Sequence, residues 1–321
     1  MDNHVEGIIK GQKRSIAKAI TIVENGEENK YKLLSQIYDH TGKALIIGIT
    51  GSPGAGKSSL TDALIRAIRA DGKTVGVVAV DPSSPFSGGA LLGDRIRMQE
   101  HALDDGVYIR SMGTRGSLGG LARSTKEVLR VIDAAGFDVI IVETVGVGQS
   151  ELDIMTIADT TIVVLTPAGG DHVQTIKAGI MEIGDVFVIN KADLPGVKKT
   201  KMEVNSMLDL STFEDGWRPP VIPTISVREE GIQELWNTIE EHSQHLKDRG
   251  LFTTERERKL SRELLEIVEL ELKDQIHDLV RNNEKVKAVV EQVVKREVNP
   301  YTATADIFKV GLGRKVSFTL D

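Results

Sequence analysis

The stretch that decides the fold is ALIIGITGSPGAGKSSLTDALIRAIRA, residues 44–70. It opens with an apolar run of the kind found in strands covered on both faces. It ends in SLTDALIRAIRA (59–70), which reads as a helix. Between them, GSPGAGKSS (51–59) fits GxxxxGK[ST] at a strand-to-helix junction, the context that gives the pattern its meaning. Gly51, Gly54 and Gly56 let the backbone turn tightly, so that successive N–H groups can surround phosphates. Lys57 supplies a point charge between β- and γ-phosphates, and the Ser58 hydroxyl suits Mg2+. Ser52, Pro53, Ala55 and Ser59 complete the run. The helix that follows points its positive end at the same anions.

Outward from this loop, short runs rich in Ile and Val alternate with helical segments. The expected strands are 44–50, 74–81, 107–112, 137–144, 161–166, 185–190 and 221–226. Strand-helix alternation over this length predicts an α/β P-loop fold, a mostly parallel sheet flanked by helices. Residues 1–43 read as helical, with Ile16, Ala17 and Ile20, then Leu33, Leu34 and Ile37, at helical spacing. From about 230 the pattern turns helical again. Leu260, Leu264, Val268, Leu272, Ile276 and Leu279 form one stripe in a highly charged segment, and RNNEK (281–285) breaks it. The stripe suits either packing within the chain or pairing with a second subunit. The expected organisation is an N-terminal helical extension (1–43), a nucleotide domain (44–248) and a C-terminal helical region with a tail (249–321).

Composition narrows the class. Asp plus Glu (47) exceeds Lys plus Arg (40), a net charge of −7, which argues against a general nucleic-acid binder. No cysteine is present, so disulfides, thiolate nucleophiles and thiolate metal sites are excluded. The first residues, MDNHVEGIIKGQKR, lack the apolar core of a signal peptide, and runs such as 44–49 are too short to span a bilayer. The expectation is a cytoplasmic protein with no membrane partner.

A second motif chooses the base. Asn190, Lys191 and Asp193 (NKAD) close an expected strand about 130 residues after the phosphate loop. Guanine offers two adjacent donors, N1–H and the 2-amino group, and one carboxylate can accept both. Adenine has no such pair at that edge and would leave the Asp193 carboxylate unmatched. Asn190 is expected to address the base's other polar edge and the Lys191 stem to cover its face. Ser226 and Val227, after the next strand, match the loop that often completes a guanine site. GTP is therefore the expected nucleotide.

Three further segments suit the metal and the γ-phosphate. Asp81 ends a strand and Asp94 follows a Pro/Ser/Gly loop; either could hold Mg2+, directly or through water, or serve as a turn former and a helix cap. Glu143 ends a very apolar strand, a poor place for a carboxylate without a partner. A metal-bound or hydrolytic water would supply one, and Gly146 could bring its N–H to the γ-phosphate. In TPAGGDHVQTIKAG (166–179), Asp171, Gln174 and Lys177 share one helical face. A Gln can orient water and a Lys can neutralise transition-state charge, but a solvated polar face fits the spacing equally. RSMGTRGSLGGLAR (110–123) suits an anion site, a docking surface or a loop capping a helix.

In this order, GSPGAGKSS, VDPSSPFSGGALLGDRIRM, MGTRGSLGGLA, ETVGVGQSE, GGDHVQTIKAG and NKAD closely resemble the methylmalonyl-CoA mutase-associated GTPases of MeaB/ArgK type. RSIAKAITIVENG and NPYTATADI resemble that family's first helices and its C-terminal segment. The final FKVGLGRKVSFTLD departs from it. The resemblance implies a Mg2+-dependent GTPase that forms a homodimer through its C-terminal helices. It implies a chaperone of an adenosylcobalamin-dependent acyl-CoA mutase, controlling cofactor loading and protecting or reactivating the mutase, with the cobalamin bound by that partner. It places Asp81, Asp94 and Glu143 on Mg2+ and switch positions. It places Asp171, Gln174 and Lys177 on a third switch that becomes catalytic when the mutase docks.

Rival readings differ in what they require. A metallochaperone GTPase usually brings Cys or His clusters, and here seven His form no ligand-spaced group. A protein-targeting GTPase needs a Met-rich groove, and the seven Met are scattered. A kinase of amino-acid transport proteins, a name attached to this family, needs an acceptor hydroxyl beside the γ-phosphate and gains nothing from guanine selectivity.

Overall fold

The continuous apolar runs become strands buried on both faces. The computed structural model describes residues 3–81, 99–113, 123–144, 153–167 and 180–312. Within these, β1 (Leu45–Gly51), β2 (Val75–Asp81), β3 (Val107–Gly113), β4 (Val139–Glu143), β5 (Thr160–Leu165), β6 (Val186–Ile189) and β7 (Val221–Pro223) form one sheet. The spatial order is β3-β2-β4-β1-β5-β6-β7, and all its pairings are parallel.

Alternate residues of each strand enter opposite cores. Val139 and Ile141 of β4 face one side with Ile47 and Ile49 of β1, Val75 and Val77 of β2, and Ile162 and Val164 of β5. Ile140 and Val142 face the other with Val78, Val80, Val163 and Leu165. Helices α4 (Lys57–Ala70) and α8 (Ile232–Asp248) cover the first side through Leu60, Leu64, Ile68, Leu235, Trp236 and Ile239. The second side is covered by α1 (Asn3–Ile9), α2 (Lys13–Asn25), α3 (Lys30–Ile37), α5 (Arg123–Ala134), the short α6 (Ile180–Ile183) and α7 (Val197–Leu208). With both faces apolar, the strands need no polar alternation.

The N-terminal helices share this core. Ile16, Ile20, Val23, Leu33 and Ile37 belong to the same apolar cluster as Val131 and Ile132 of α5. Charge fixes the docking as well: Lys30 Nζ lies 3.1 Å from the buried Glu127 of α5, and Arg110 of β3 pairs with Glu24 of α2. The turn from these helices into β1 is held by Asp133 of α5, 7% exposed, whose carboxylate accepts from the N–H groups of Gly42, Lys43 (3.2 Å) and Ala44 (3.0 Å).

Two boundaries show local chemistry at work. The strand expected over 221–226 stops at Pro223. This is the edge of the sheet, and the last bond of its ladder runs from the Thr224 N–H to the Ile189 carbonyl oxygen at 2.9 Å. The chain then turns, and Ser226–Arg228 form a single 3-10 turn. In the C-terminal region, RNNEK separates α9 (Leu251–Asn282) from α10 (Glu284–Val294). Asn283 is extended there, and its side chain accepts from the N–H of Lys285 and Val286 as an N-cap.

The chain divides into a compact unit at 1–253 and a second at 254–321. The second consists of most of α9, with α10 and α11 (Pro300–Leu312). Helix α9 buries none of its residues, and Leu264 and Val268 of its stripe are 61% and 45% exposed. Among the described residues no helix is long and apolar enough to cross a membrane.

The Asp133 cap gives a direct stability test. Asp133→Ala removes a buried charged acceptor from three N–H groups at a partly buried junction, and should cost about 2 kcal/mol. Thermal melts should show a midpoint lowered by about 4–8 °C. An unchanged midpoint would mean that the turn holds itself.

Candidate nucleotide site

Strand order reverses about β1: β2 and β3 lie to one side of it, β5, β6 and β7 to the other. A crevice at the carboxyl end of such a strand is where open α/β sheets bind ligands. The phosphate-type loop stands there, between the end of β1 at Gly51 and the start of α4 at Lys57.

Two glycines in it are dictated by space as well as by conformation. Gly51 has φ +139°, and a Cβ there would lie 2.2 Å from the Val164 carbonyl oxygen of β5. Gly56 has φ +87°, and a Cβ there would lie 2.4 Å from Asn190 Nδ2. Lys57 is buried, and its Nζ donates to the carbonyl oxygens of Gly51 (2.7 Å) and Ser52 (3.2 Å), which folds the amine over the loop.

Parallel register sets the acidic residue beside this loop. Glu143 ends β4 opposite Ile49 of β1 and is 4% exposed. Ser58 Oγ donates to its Oε1 at 2.7 Å, and Thr61 Oγ1 donates to its Oε2 at 2.8 Å. Both hydroxyls come from the start of α4. The chain leaving β4 stays tied to β1, because Thr144 N–H donates to Ile49 O (3.0 Å) and the Thr144 and Thr50 hydroxyls are 3.1 Å apart. The structure thus brings together Ser58 and Glu143, which the sequence could only assign separately. Thr61 was not foreseen. Asp81 ends β2, one strand over from Glu143. Asp94, Gly146, Asp171, Gln174 and Lys177 lie outside the described residues.

The base motif is built differently from expectation. Asn190 is 2% exposed, and its side chain is engaged by protein on both ends rather than turned to a base edge. Its Nδ2 donates to the carbonyl oxygens of Ala55 (3.0 Å) and Gly56 (3.3 Å) in the phosphate loop. Its Oδ1 accepts from Ser226 Oγ (2.8 Å), Ser226 N–H (3.3 Å) and Thr224 Oγ1 (3.2 Å). Asn190 is therefore a brace that locks the loop after β7 to the phosphate loop. Lys191 adopts φ +57°, uncommon for a residue with a side chain, and its Nζ donates to Gly54 O at 2.8 Å. Asp193 and Val227 are exposed at the same edge, outside the packing that fixes Asn190.

A phosphate-type loop, a buried carboxylate on its serine and a braced NKAD loop now stand at the carboxyl end of one sheet. A family model described as methylmalonyl Co-A mutase-associated GTPase MeaB matches residues 16–283. The chain belongs to this family. It is 48% identical over 320 residues to a Pyrococcus abyssi protein, covering 99% of this chain and 98% of that one. It is 37% identical over 275 residues to the mouse methylmalonic aciduria type A homolog, a mitochondrial protein, covering 80% of this chain and 66% of the relative. Among solved structures it is similar to one named as a LAO/AO transport system kinase, with TM-score 0.72, 27% identity and 96% of each chain covered. The protein is a P-loop GTPase, and GTP, GDP and Mg2+ are the ligands its family implies.

The Asn190 brace predicts a linked loss. Asn190→Ala leaves buried Thr224 and Ser226 groups without their acceptor, which should cost about 2 kcal/mol or more of stability. Because the brace joins two loops of one site, guanine-nucleotide affinity should fall about tenfold as well. Melting curves and nucleotide titration on the same variant check this; lost stability with parental affinity would confine the brace to folding.

Proposed function

We propose that this GTPase is a chaperone of an adenosylcobalamin-dependent acyl-CoA mutase of the methylmalonyl-CoA mutase type. It controls cofactor loading and protects or reactivates the mutase, which itself binds the cobalamin. The reading rests on the family match over residues 16–283. The name of the mouse relative, which refers to methylmalonic aciduria, agrees with it. The proposed setting is the cytoplasm. The proposed assembly is a homodimer through the helical region after residue 248, where the exposed stripe of α9 offers an apolar surface.

Within the site, the loop 51–59 holds the phosphates and Lys57 balances their charge. Ser58 and Glu143 bring hard oxygen donors together, the donor type Mg2+ takes, and Asp81 and Asp94 complete the candidate set. Bound there, Mg2+ would neutralise charge on the phosphates as the γ-phosphoryl group leaves. Asp193 accepts the two guanine donors, Lys191 covers the base, and Ser226 and Val227 close its edge. Asn190 acts as a positioning residue. Gly146 serves the γ-phosphate, and Gln174 and Lys177 act on the transition state once the mutase has docked. The kinase name carried by the similar solved structure favours a second reading, phosphoryl transfer to a transport protein. Release of phosphate to water, against radiolabel passing to a protein acceptor, separates the two.

Asp193→Asn exchanges one acceptor for a donor, which suits the 2-oxo group of xanthine. GTP should bind more weakly and XTP more tightly, as competition titrations can measure. Parental selectivity in the variant would remove Asp193 from the base site.

Lys177→Ala tests the chaperone reading. A cation that acts only after docking adds little to ground-state affinity, so GTP binding should stay within about threefold of the parent. Hydrolysis stimulated by the mutase should fall by about a hundredfold or more, since a positioned cation there can be worth several powers of ten. Gln174→Ala should follow less severely. Turnover with and without the mutase is the measurement. Absence of stimulation in the parent by any adenosylcobalamin-dependent mutase of the host would overturn the proposal.

A further inference from the structure

Each oxygen of the Glu143 carboxylate is held by a different hydroxyl of α4. Ser58 Oγ donates to Oε1 and Thr61 Oγ1 to Oε2, at 2.7 and 2.8 Å. The two residues are three apart and so share one face of the helix. Nothing in the phosphate-loop motif asks for a hydroxyl at position 61. Its neighbours Leu60, Ala63, Leu64 and Ile65 are all buried apolar residues, and Thr61 itself is fully buried. An aliphatic side chain would satisfy that packing. The hydroxyl has another use.

We infer that Thr61 is a positioning residue for the Mg2+ site: it holds Oε2 of Glu143 and so keeps Oε1 on Ser58. The inference rests on the proposed role of Ser58 and Glu143 at the metal. Its physical content is rotational. The terminal torsion of a Glu is broad and roughly two-fold, so the backbone of β4 alone does not fix the carboxylate plane. A second donor on the far oxygen does. Ser58 has a single hydroxyl hydrogen, and spending it on Oε1 aims the oxygen's acceptor side, the part of the group a cation takes, away from the carboxylate. Without Thr61, Oε2 loses the donor that α4 gives it, and the mutual orientation of Ser58 and the carboxylate is loosened. Water is a poor replacement at a fully buried position.

The choice of a neutral donor also matters. An Arg or Lys at position 61 would hold the carboxylate equally firmly but would cancel its charge. A threonine hydroxyl fixes the group and leaves its negative charge to act on a divalent ion. Thr61 touches neither phosphate nor base in this scheme; it acts through Glu143.

The test measures the affinity of the full-length protein for a fluorescent GDP analogue, first in EDTA and then across a Mg2+ titration. Thr61→Val keeps the shape and removes the hydroxyl, and Thr61→Ser restores it. In EDTA, Thr61→Val should bind within about twofold of the parent, while the tightening produced by Mg2+ should shrink about tenfold, the scale of one hydrogen bond to a charged group. Thr61→Ser should recover tightening to within about threefold of the parent. Thr61→Ala, read in the same way, carries the test if the valine variant does not melt cooperatively. Ser58→Ala is the reference and should lose the Mg2+ effect. If Ser58→Ala loses it and both Thr61→Val and Thr61→Ala keep it, the metal site stands and Thr61 has no part in it. Equal losses in EDTA and in Mg2+ would make Thr61 a packing residue and overturn the inference. If Ser58→Ala tightens as the parent does, the metal reading itself fails, and the inference with it.

Discussion

The nucleotide edge depends on how closely β1 is allowed to approach β5. At Gly51 the space a side chain would need is filled by the Val164 carbonyl oxygen, only 2.2 Å from an ideal Cβ. The chain therefore leaves the sheet with a positive φ, and the loop starts as a wedge between two strands. Its other end meets Asn190 at Gly56 with similar economy of space. Between those two contacts, Lys57 and Lys191 donate to carbonyl oxygens of Gly51, Ser52 and Gly54. The loop is thus held by its flanking strand, by the base motif and by two cations, and its shape is fixed by the whole sheet edge.

Neutral donors dominate the buried part of this edge. Thr50, Ser58, Thr61, Thr144, Thr224 and Ser226 are all buried, and each hydroxyl engages a carboxylate, an amide oxygen, a carbonyl or another hydroxyl. A buried polar group without such a partner costs free energy, so these residues must be satisfied as a set. Hydroxyls achieve this without adding charge. Among the described residues, the charges of the buried site are then those of Lys57 and Glu143.

Local grammar made most of the architecture legible. Apolar runs that need no alternation read as strands of a doubly covered sheet, and the loop 51–59 fixed where strand met helix. The end of β7 shows where this stops: VIPTIS continues the apolar pattern, but after Thr224 has bonded Ile189 the Ser226 N–H is taken by the Asn190 side chain, and the chain turns. The site was legible by residue type and not by direction. Asn190 was recognisable as part of NKAD, yet its partners Thr224 and Ser226 lie 34 and 36 residues downstream, and the phosphate-loop carbonyls lie well over a hundred residues upstream. Glu143 was recognisable as a carboxylate in need of a partner, but that the partners would be hydroxyls of α4 follows from strand register, which pattern does not carry. Thr61 left a trace that could have been read, a polar residue on a helix face otherwise filled by Leu, Ala and Ile.

The placement of Glu143 makes a demand of its own. The N-terminus of α4 carries partial positive charge from the N–H groups of its first turn, and both a phosphate and a carboxylate are attracted to it. Ser58 stands in the first turn of that helix and already holds the carboxylate. A phosphate cradled by 51–57 would bring further negative charge to the same turn, in surroundings where Coulomb repulsion is weakly screened. The helix dipole amounts to a fraction of one charge and cannot balance both anions. Lys57 offers one full charge, yet a nucleotide triphosphate brings several. A divalent cation that bonds to hard oxygens answers that imbalance, and a carboxylate fixed by neutral donors beside the phosphate loop is the arrangement that would make nucleotide affinity and metal affinity depend on each other.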